Sequence, residues 1–225
     1  MRPISMLIAL FVLSTSVYAQ TVTTELPQGL VAEIGFSAGR GFEQLVVFQT
    51  TQGEDATVSA GGGVGIQGGL AYFTPVGLQI AGVIGYSYTQ LSPVLENADA
   101  GFRRLIVTPE IRYPIMIKPG HFIAIGAGYG LYALGRLKID AQELIGLQTE
   151  DYYLPTTGFH MIAEYQGPIS TKGAAAFGLK YYTAQYQSDY TLVNGVNVGN
   201  LGDNMNGSAI ELYLRVSIGP WLDEE

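Results

Sequence analysis

Residues 208–219, SAIELYLRVSIG, alternate without a break. Ile210, Leu212, Leu214, Val216 and Ile218 fall on one side of an extended strand, and Glu211, Tyr213, Arg215 and Ser217 on the other. A period of two gives a strand with one apolar and one polar face. The pattern recurs from Leu30 to Ser37, over 58–73, from Leu78 to Thr89, from Arg104 to Tyr113, over 122–133, from Phe159 to Tyr165 and from Phe177 to Tyr182, making eight strands. No apolar run after residue 19 approaches the ~20 residues of a spanning helix. If this chain lives in a membrane, it does so as strands.

Residues 1–19 are read as a secretory signal peptide: Arg2, a short apolar run from Ile4 to Leu13, then Val17-Tyr18-Ala19 before Gln20. Residues 20–29 are then a periplasmic lead-in, 30–219 the barrel and 220–225 an acidic tail. With Arg2 in the leader, ten basic residues face nineteen acids, a net of −9. That balance argues against a nucleic-acid partner. Cysteine is absent, so disulfides do not staple the fold, and charged residues are only 13% of the chain, about half the ~25% usual in soluble domains.

The connections alternate in length. Short ones at 74–77, 117–120 and 167–173 carry the proline and glycine of tight turns, whereas long ones occupy about 39–57, 89–101, 134–157 and 187–207. Eleven of the nineteen acids lie in the long ones, while the short ones hold Lys118 and Lys172 and no acid. LVNGV at 192–196 reads as a small hairpin around Asn194-Gly195, and DAQE at 140–143 as a helical turn with Asp140 first and Glu143 three later. Two unequal rims describe an up-and-down meander of the transmembrane type.

The polar face decides which way the strands look. It carries mainly Gly, Ala, Ser, Thr and Gln, with Glu33, Glu110, Arg112, Glu164, Lys180, Glu211 and Arg215 as isolated charges; Arg104 shares their parity near a strand end. Such a face suits a narrow interior, which eight strands leave just wide enough for side chains to fill. The four acids are expected to pair with the three bases, because a single buried charge is costly. Glu211 and Arg215, four apart on one strand, are each expected to find a partner across the lumen. Aromatics near strand ends (Tyr72, Phe73, Tyr86, Tyr88, Tyr113, Phe122, Tyr132, Phe159, Tyr165, Tyr181, Tyr182, Tyr186, Trp221) read as interfacial girdles. The competing solution is a soluble exported lipocalin-like carrier, with the apolar face inward and ordinary core aromatics.

Signal peptide, eight alternating strands, short turns, long loops and a final strand IELYLRVSI together resemble the small outer-membrane β-barrel proteins of Gram-negative bacteria, the OmpA/OmpX-like group. The resemblance covers about 25–219. It implies an all-β, eight-stranded antiparallel transmembrane barrel, integral to the outer membrane. It also implies lipids and lipopolysaccharide around the barrel, barrel-assembly machinery as a partner during insertion, and non-enzymatic display of four acidic loops in a structural, adhesive or porin-like role. The group ends its last strand on an aromatic residue; here the chain continues as GPWLDEE, leaving Trp221 or Leu222 for that part. No wall-anchoring domain is expected after the barrel.

Two motifs point elsewhere. GVGIQG at 63–68 matches G-x-G-x-x-G, but inside an alternating strand with no helix following, so no nucleotide cofactor is expected. GFSAG at 35–39 matches a nucleophile elbow, which makes Ser37, with His160 as base and an acid such as Glu164, the centre of an alternative reading as a lipid hydrolase or acyltransferase. No metal site is expected from two histidines and no cysteine, and Asp140, Glu143, Glu150 and Asp151 lack the spacing of a calcium loop.

Overall fold

A computed structural model describes residues 29–219. The signal peptide, nearly all of the lead-in, and the tail with Trp221 lie outside the described residues. Eight strands form the barrel: β1 (Gly29–Gly41), β4 (Gly62–Phe73), β5 (Gln79–Gln90), β6 (Asp99–Lys118), β7 (His121–Ala141), β9 (Thr156–Ser170), β10 (Gly173–Tyr182) and β15 (Ala209–Ile218). Each pairs antiparallel with the next, and β1 closes on β15 from Ala32↔Ile218 to Gly41↔Ala209. Closure leaves no unpaired edge in the barrel wall.

The turns follow their chemistry. Gly77 and Gly120 take the positive φ (82° and 72°) that lets β4 return as β5 and β6 as β7. The hairpin expected at Asn194-Gly195 forms between β12 (Ser188–Val193) and β13 (Val196–Asn197), with φ of 48° and 81° at the two central residues. The helical turn is α1 (Gln142–Ile145), capped one residue later than expected: Ala141 holds the cap position, and Asp140 accepts a hydrogen bond from the Gln142 N–H at 3.3 Å.

The segments read as long loops contain much strand, most of all 134–157. β6 and β7 run 20 and 21 residues, past the rim of their neighbours. β7 there pairs with β8 (Leu147–Tyr153), which pairs with β12, so the sheet continues above the barrel. A hairpin of β2 (Leu45–Gln49) and β3 (Asp55–Val58) and a short ladder of β11 (Gln185–Tyr186) with β14 (Met205–Asn206) complete the mouth. β6 and β7 slip register between Arg103 and Leu105, with Leu134 at φ 54° as the extra residue.

On β15, Leu212 and Leu214 are 51% and 41% exposed, while Glu211 and Arg215 are 5% and 3% exposed. The other barrel strands follow suit, with Leu30, Ile34, Phe36, Ile66, Leu70, Ile84, Ile111, Ile125 and Phe177 all facing out. Water would penalise that belt and hydrocarbon would not.

Candidate functional site

The interior is stacked in layers. At the short-turn end Val31, Ala71, Phe73, Ala81, Val83, Phe122 and Ala174 form an apolar plug. At the long-loop end Val58, Phe102, Tyr132, Leu137, Tyr153, Tyr182, Tyr186 and Met205 form a second, drawing on the mouth strands as well as the barrel. The charged residues lie between. Five of the aromatics expected in interfacial girdles (Phe73, Phe122, Tyr132, Tyr182 and Tyr186) are therefore inside, because each has inward parity on its strand. Tyr72, Tyr86, Tyr113, Phe159 and Tyr181 face out.

All seven charges singled out in the sequence reach the lumen. Arg112 binds two acids at once: Nη1 donates to Glu33 at 2.9 and 3.1 Å, and Nη2 and Nε donate to Glu110 Oε2 at 2.6 and 3.0 Å. Lys180 Nζ donates to Glu110 Oε1 at 3.1 Å, and His160 Nε2 lies 3.2 Å from the same oxygen. Arg215 Nη2 donates to Glu164 at 2.6 Å, with its Nε 3.4 Å from Glu33. Tyr213 OH and the Gln166 amide also donate to Glu164, and the Gln79 amide donates to Glu33 at 3.3 Å. Three acids and three bases thus form one balanced cluster, with most carboxylate oxygens accepting hydrogen bonds from more than one donor.

Glu211 departs from expectation. Lys180 stands directly opposite it in the sheet register but reaches across to Glu110 instead. The partner of Glu211 is Arg104, at 3.3 Å, whose guanidinium also donates to the carbonyls of Ala60 and Gly62 and lies over the Tyr182 ring at 5.0 Å. Tyr182 OH donates to Glu211 at 2.8 Å and accepts the Gly62 N–H. Gly39, opposite Glu211 in register, makes room for it, since a Cβ there would collide with the Glu211 side chain. A cavity of about 20 Å³ beside Ser37, Lys180, Tyr182 and Glu211 lies where the two clusters approach, enough for roughly one water.

The sequence reading passed over Tyr182, Tyr213, Gln79 and Gln166 as members of the network. The inward parity of each was the available signal. The catalytic alternative fares differently. His160 is against Glu110 rather than Glu164, and no hydrogen bond joins it to Ser37 among the described residues. The glycines of 63–68 lie within or beside the β4 ladder. In the mouth, Asp140 meets Lys138 at 3.0 Å, Glu150 pairs with Arg136, and Asp151 accepts from Thr191. Asp140 is partly exposed, and the Lys138 hydrogen bond, with the Gln142 N–H, holds its carboxyl below the usual aspartate range.

No protein-family model matches the chain, and no curated protein sequence matches it. Among solved structures it is similar to Neisserial surface protein A, at 13% identity and a TM-score of 0.49, covering 84% of this chain and 95% of that one. It is also similar to the outer membrane protein AlkL in DMPC bilayers, at 14% identity and 0.47, covering 92% and 98%. A third likeness is to the outer membrane protease OmpT from Escherichia coli, at 10% identity and 0.38, covering 88% and 97%. The decisive property belongs to the chain itself. A closed eight-stranded barrel with an apolar exterior and an ionic interior is an integral β-barrel of the outer-membrane kind.

Proposed function

We propose that the chain is a non-enzymatic outer-membrane scaffold, akin to the OmpA/OmpX-like barrels, that holds an acidic, strand-rebuilt mouth outside a Gram-negative envelope. One observation carries this reading: the lumen is occupied from end to end by an apolar plug, a balanced ion network and a second apolar plug. A lumen filled in this way favours adhesion or envelope integrity over bulk transport. Lipids and lipopolysaccharide surround the belt, and the assembly machinery delivers the barrel to them.

The test is reconstitution into planar bilayers alongside heat-dependent mobility on a denaturing gel. The expected result is a band that shifts on boiling, with no steady porin-scale conductance. Sustained conductance in a correctly folded sample would overturn the sealed-scaffold reading. For the enzymatic alternative, lipid products from the wild-type chain that disappear in Ser37→Ala would overturn the non-enzymatic part.

A further inference from the structure

The extracellular half of the chain is rich in acids, so the position of its few cations is informative. Four of the ten basic residues after the leader lie in the lumen and two at the short turns, which leaves Arg40, Arg103, Arg136 and Lys138. Three of these four share one outward patch. Arg103 stands directly opposite Arg136 across the β6–β7 pair, and Gly101 opposite Lys138. Like charges facing each other on paired strands are destabilising, and an anion between them reverses the sign.

Their height on the barrel is equally specific. Outward residues on β6 read Ile117, Ile115, Tyr113, Ile111, Pro109, Val107 and Leu105, and the next is Arg103. On β7 they read Ile123, Ile125, Ala127, Tyr129, Leu131 and Ala133, then the extra residue Leu134, then Arg136. An apolar stretch of this length at ~3.3 Å per residue and ~40° tilt covers ~30 Å, the thickness of a hydrocarbon core. Both arginines are thus the first charges beyond the belt. The register slip at Leu134 puts Arg136 and Lys138 there, because below it the even-numbered residues of β7, such as Gly126 and Tyr132, point inward.

The patch is partly pre-built. Arg136 is paired with Glu150 and lies over the Tyr152 ring at 5.3 Å, and Tyr152 stacks on Tyr190 at 4.5 Å. Lys138 is paired with Asp140. The side chain of Arg103 is exposed and has no acid within ion-pair reach among the described residues. Asp99 and Asp140, opposite each other, lie four residues farther from the belt than Arg103 and Arg136.

We propose that Arg103, Arg136 and Lys138 form a lipid-facing site for the phosphate of an outer-leaflet lipid headgroup, a site that rests on the membrane reading above. The guanidinium forks take the phosphate oxygens, Lys138 adds a point charge, and the acyl chains lie along Leu105, Leu131 and Leu134. Tyr88 and Tyr152, flanking the arginines across the sheet, supply the rings suited to that depth.

The experiment uses the full mature chain in phosphatidylcholine vesicles doped with doubly phosphorylated lipid A, or with the same glycolipid stripped of phosphate, and reads the lipid retained on the purified barrel. Wild type is expected to prefer the phosphorylated form, and Arg103→Gln/Arg136→Gln to lose roughly tenfold of that preference. Lys118→Gln, at the opposite rim, is expected to retain it. Arg103→Gln alone removes an exposed side chain and provides a folded variant should the double change fail to fold; it is expected to lose part of the preference. Equal retention of the two lipids by wild type, or an undiminished preference in the arginine variants, overturns the site. Displacement of the lipid by inorganic pyrophosphate would assign the site to a soluble anion and overturn the lipid as its occupant. Failure of wild type to enter vesicles overturns the membrane reading together with the site, whereas insertion without selectivity overturns the site alone.

Discussion

Arg112 with Glu33 and Arg136 with Glu150 are the same chemical pair in two settings. In the lumen the two side chains are 1% and 2% exposed; at the rim they are 20% and 16% exposed. In the lumen each partner is the other's substitute for water, so losing one leaves a charge with nowhere to go. At the rim solvent and headgroups stand in for a lost partner, and the pair contributes little to stability. Burial, more than pairing, decides what an ion pair does in this barrel.

The largest loss is expected from Arg112→Ala. It strips both Glu33 and Glu110 of their principal donor and is expected to lower the unfolding free energy by about 3–5 kcal/mol, read from the urea midpoint in detergent or vesicles. Next comes the opposite manipulation, a charge placed on the outer wall. Leu214→Arg, near the middle of β15, is expected to cost about 2–4 kcal/mol if that wall faces hydrocarbon, and almost nothing in a soluble carrier. Arg136→Gln should cost no more than about 1 kcal/mol by the same urea assay, since its pair is partly solvated. A loss as large as that of Arg112→Ala would erase the distinction between the two settings. Asp99→Ala is expected to stay within about 0.5 kcal/mol of wild type.

The smallest effect is a titration. Because the folded carboxyl of Asp140 is depressed, its contribution is complete above the unfolded value of about 3.9 and disappears as pH falls through the folded value. Its carboxyl resonance should therefore titrate below that of an ordinary aspartate, and Lys138→Gln should move the midpoint upward. An unmoved midpoint would remove Lys138 as the cause.

The barrel wall was legible in the sequence because period-two alternation fixes which face each residue takes, as Leu212 and Glu211 illustrate. Parity also carried the information that Phe73, Phe122, Tyr132 and Tyr182 point inward, but their place near strand ends suggested a girdle. Partner choice was less accessible. Adjacent register joins Lys180 to Glu211, yet reach across a narrow lumen sends Lys180 to Glu110 and gives Glu211 to Arg104. The strands above the rim escaped notice because β8 and β12 alternate weakly. LQTEDYY and SDYTLV lack a continuous apolar face; β8 joins the plug at the mouth through Tyr153, and the buried residues of β12 are Ser188 and Thr191. The slip at Leu134, which turns Arg136 outward, has no signature in residue type, because neither glycine nor asparagine supplies the positive φ.

Wall orientation is the claim beneath all of this, and the absence of cysteine makes it directly measurable. Spin labels on Leu212→Cys, Leu214→Cys and Ser217→Cys, each alone in the reconstituted barrel, report collision with lipid-soluble oxygen and with a water-soluble nickel chelate. High oxygen accessibility at the two leucine positions and low accessibility to both reagents at Ser217→Cys is the expected result. Leucine-position labels shielded from oxygen, or reached by the nickel chelate, would contradict it.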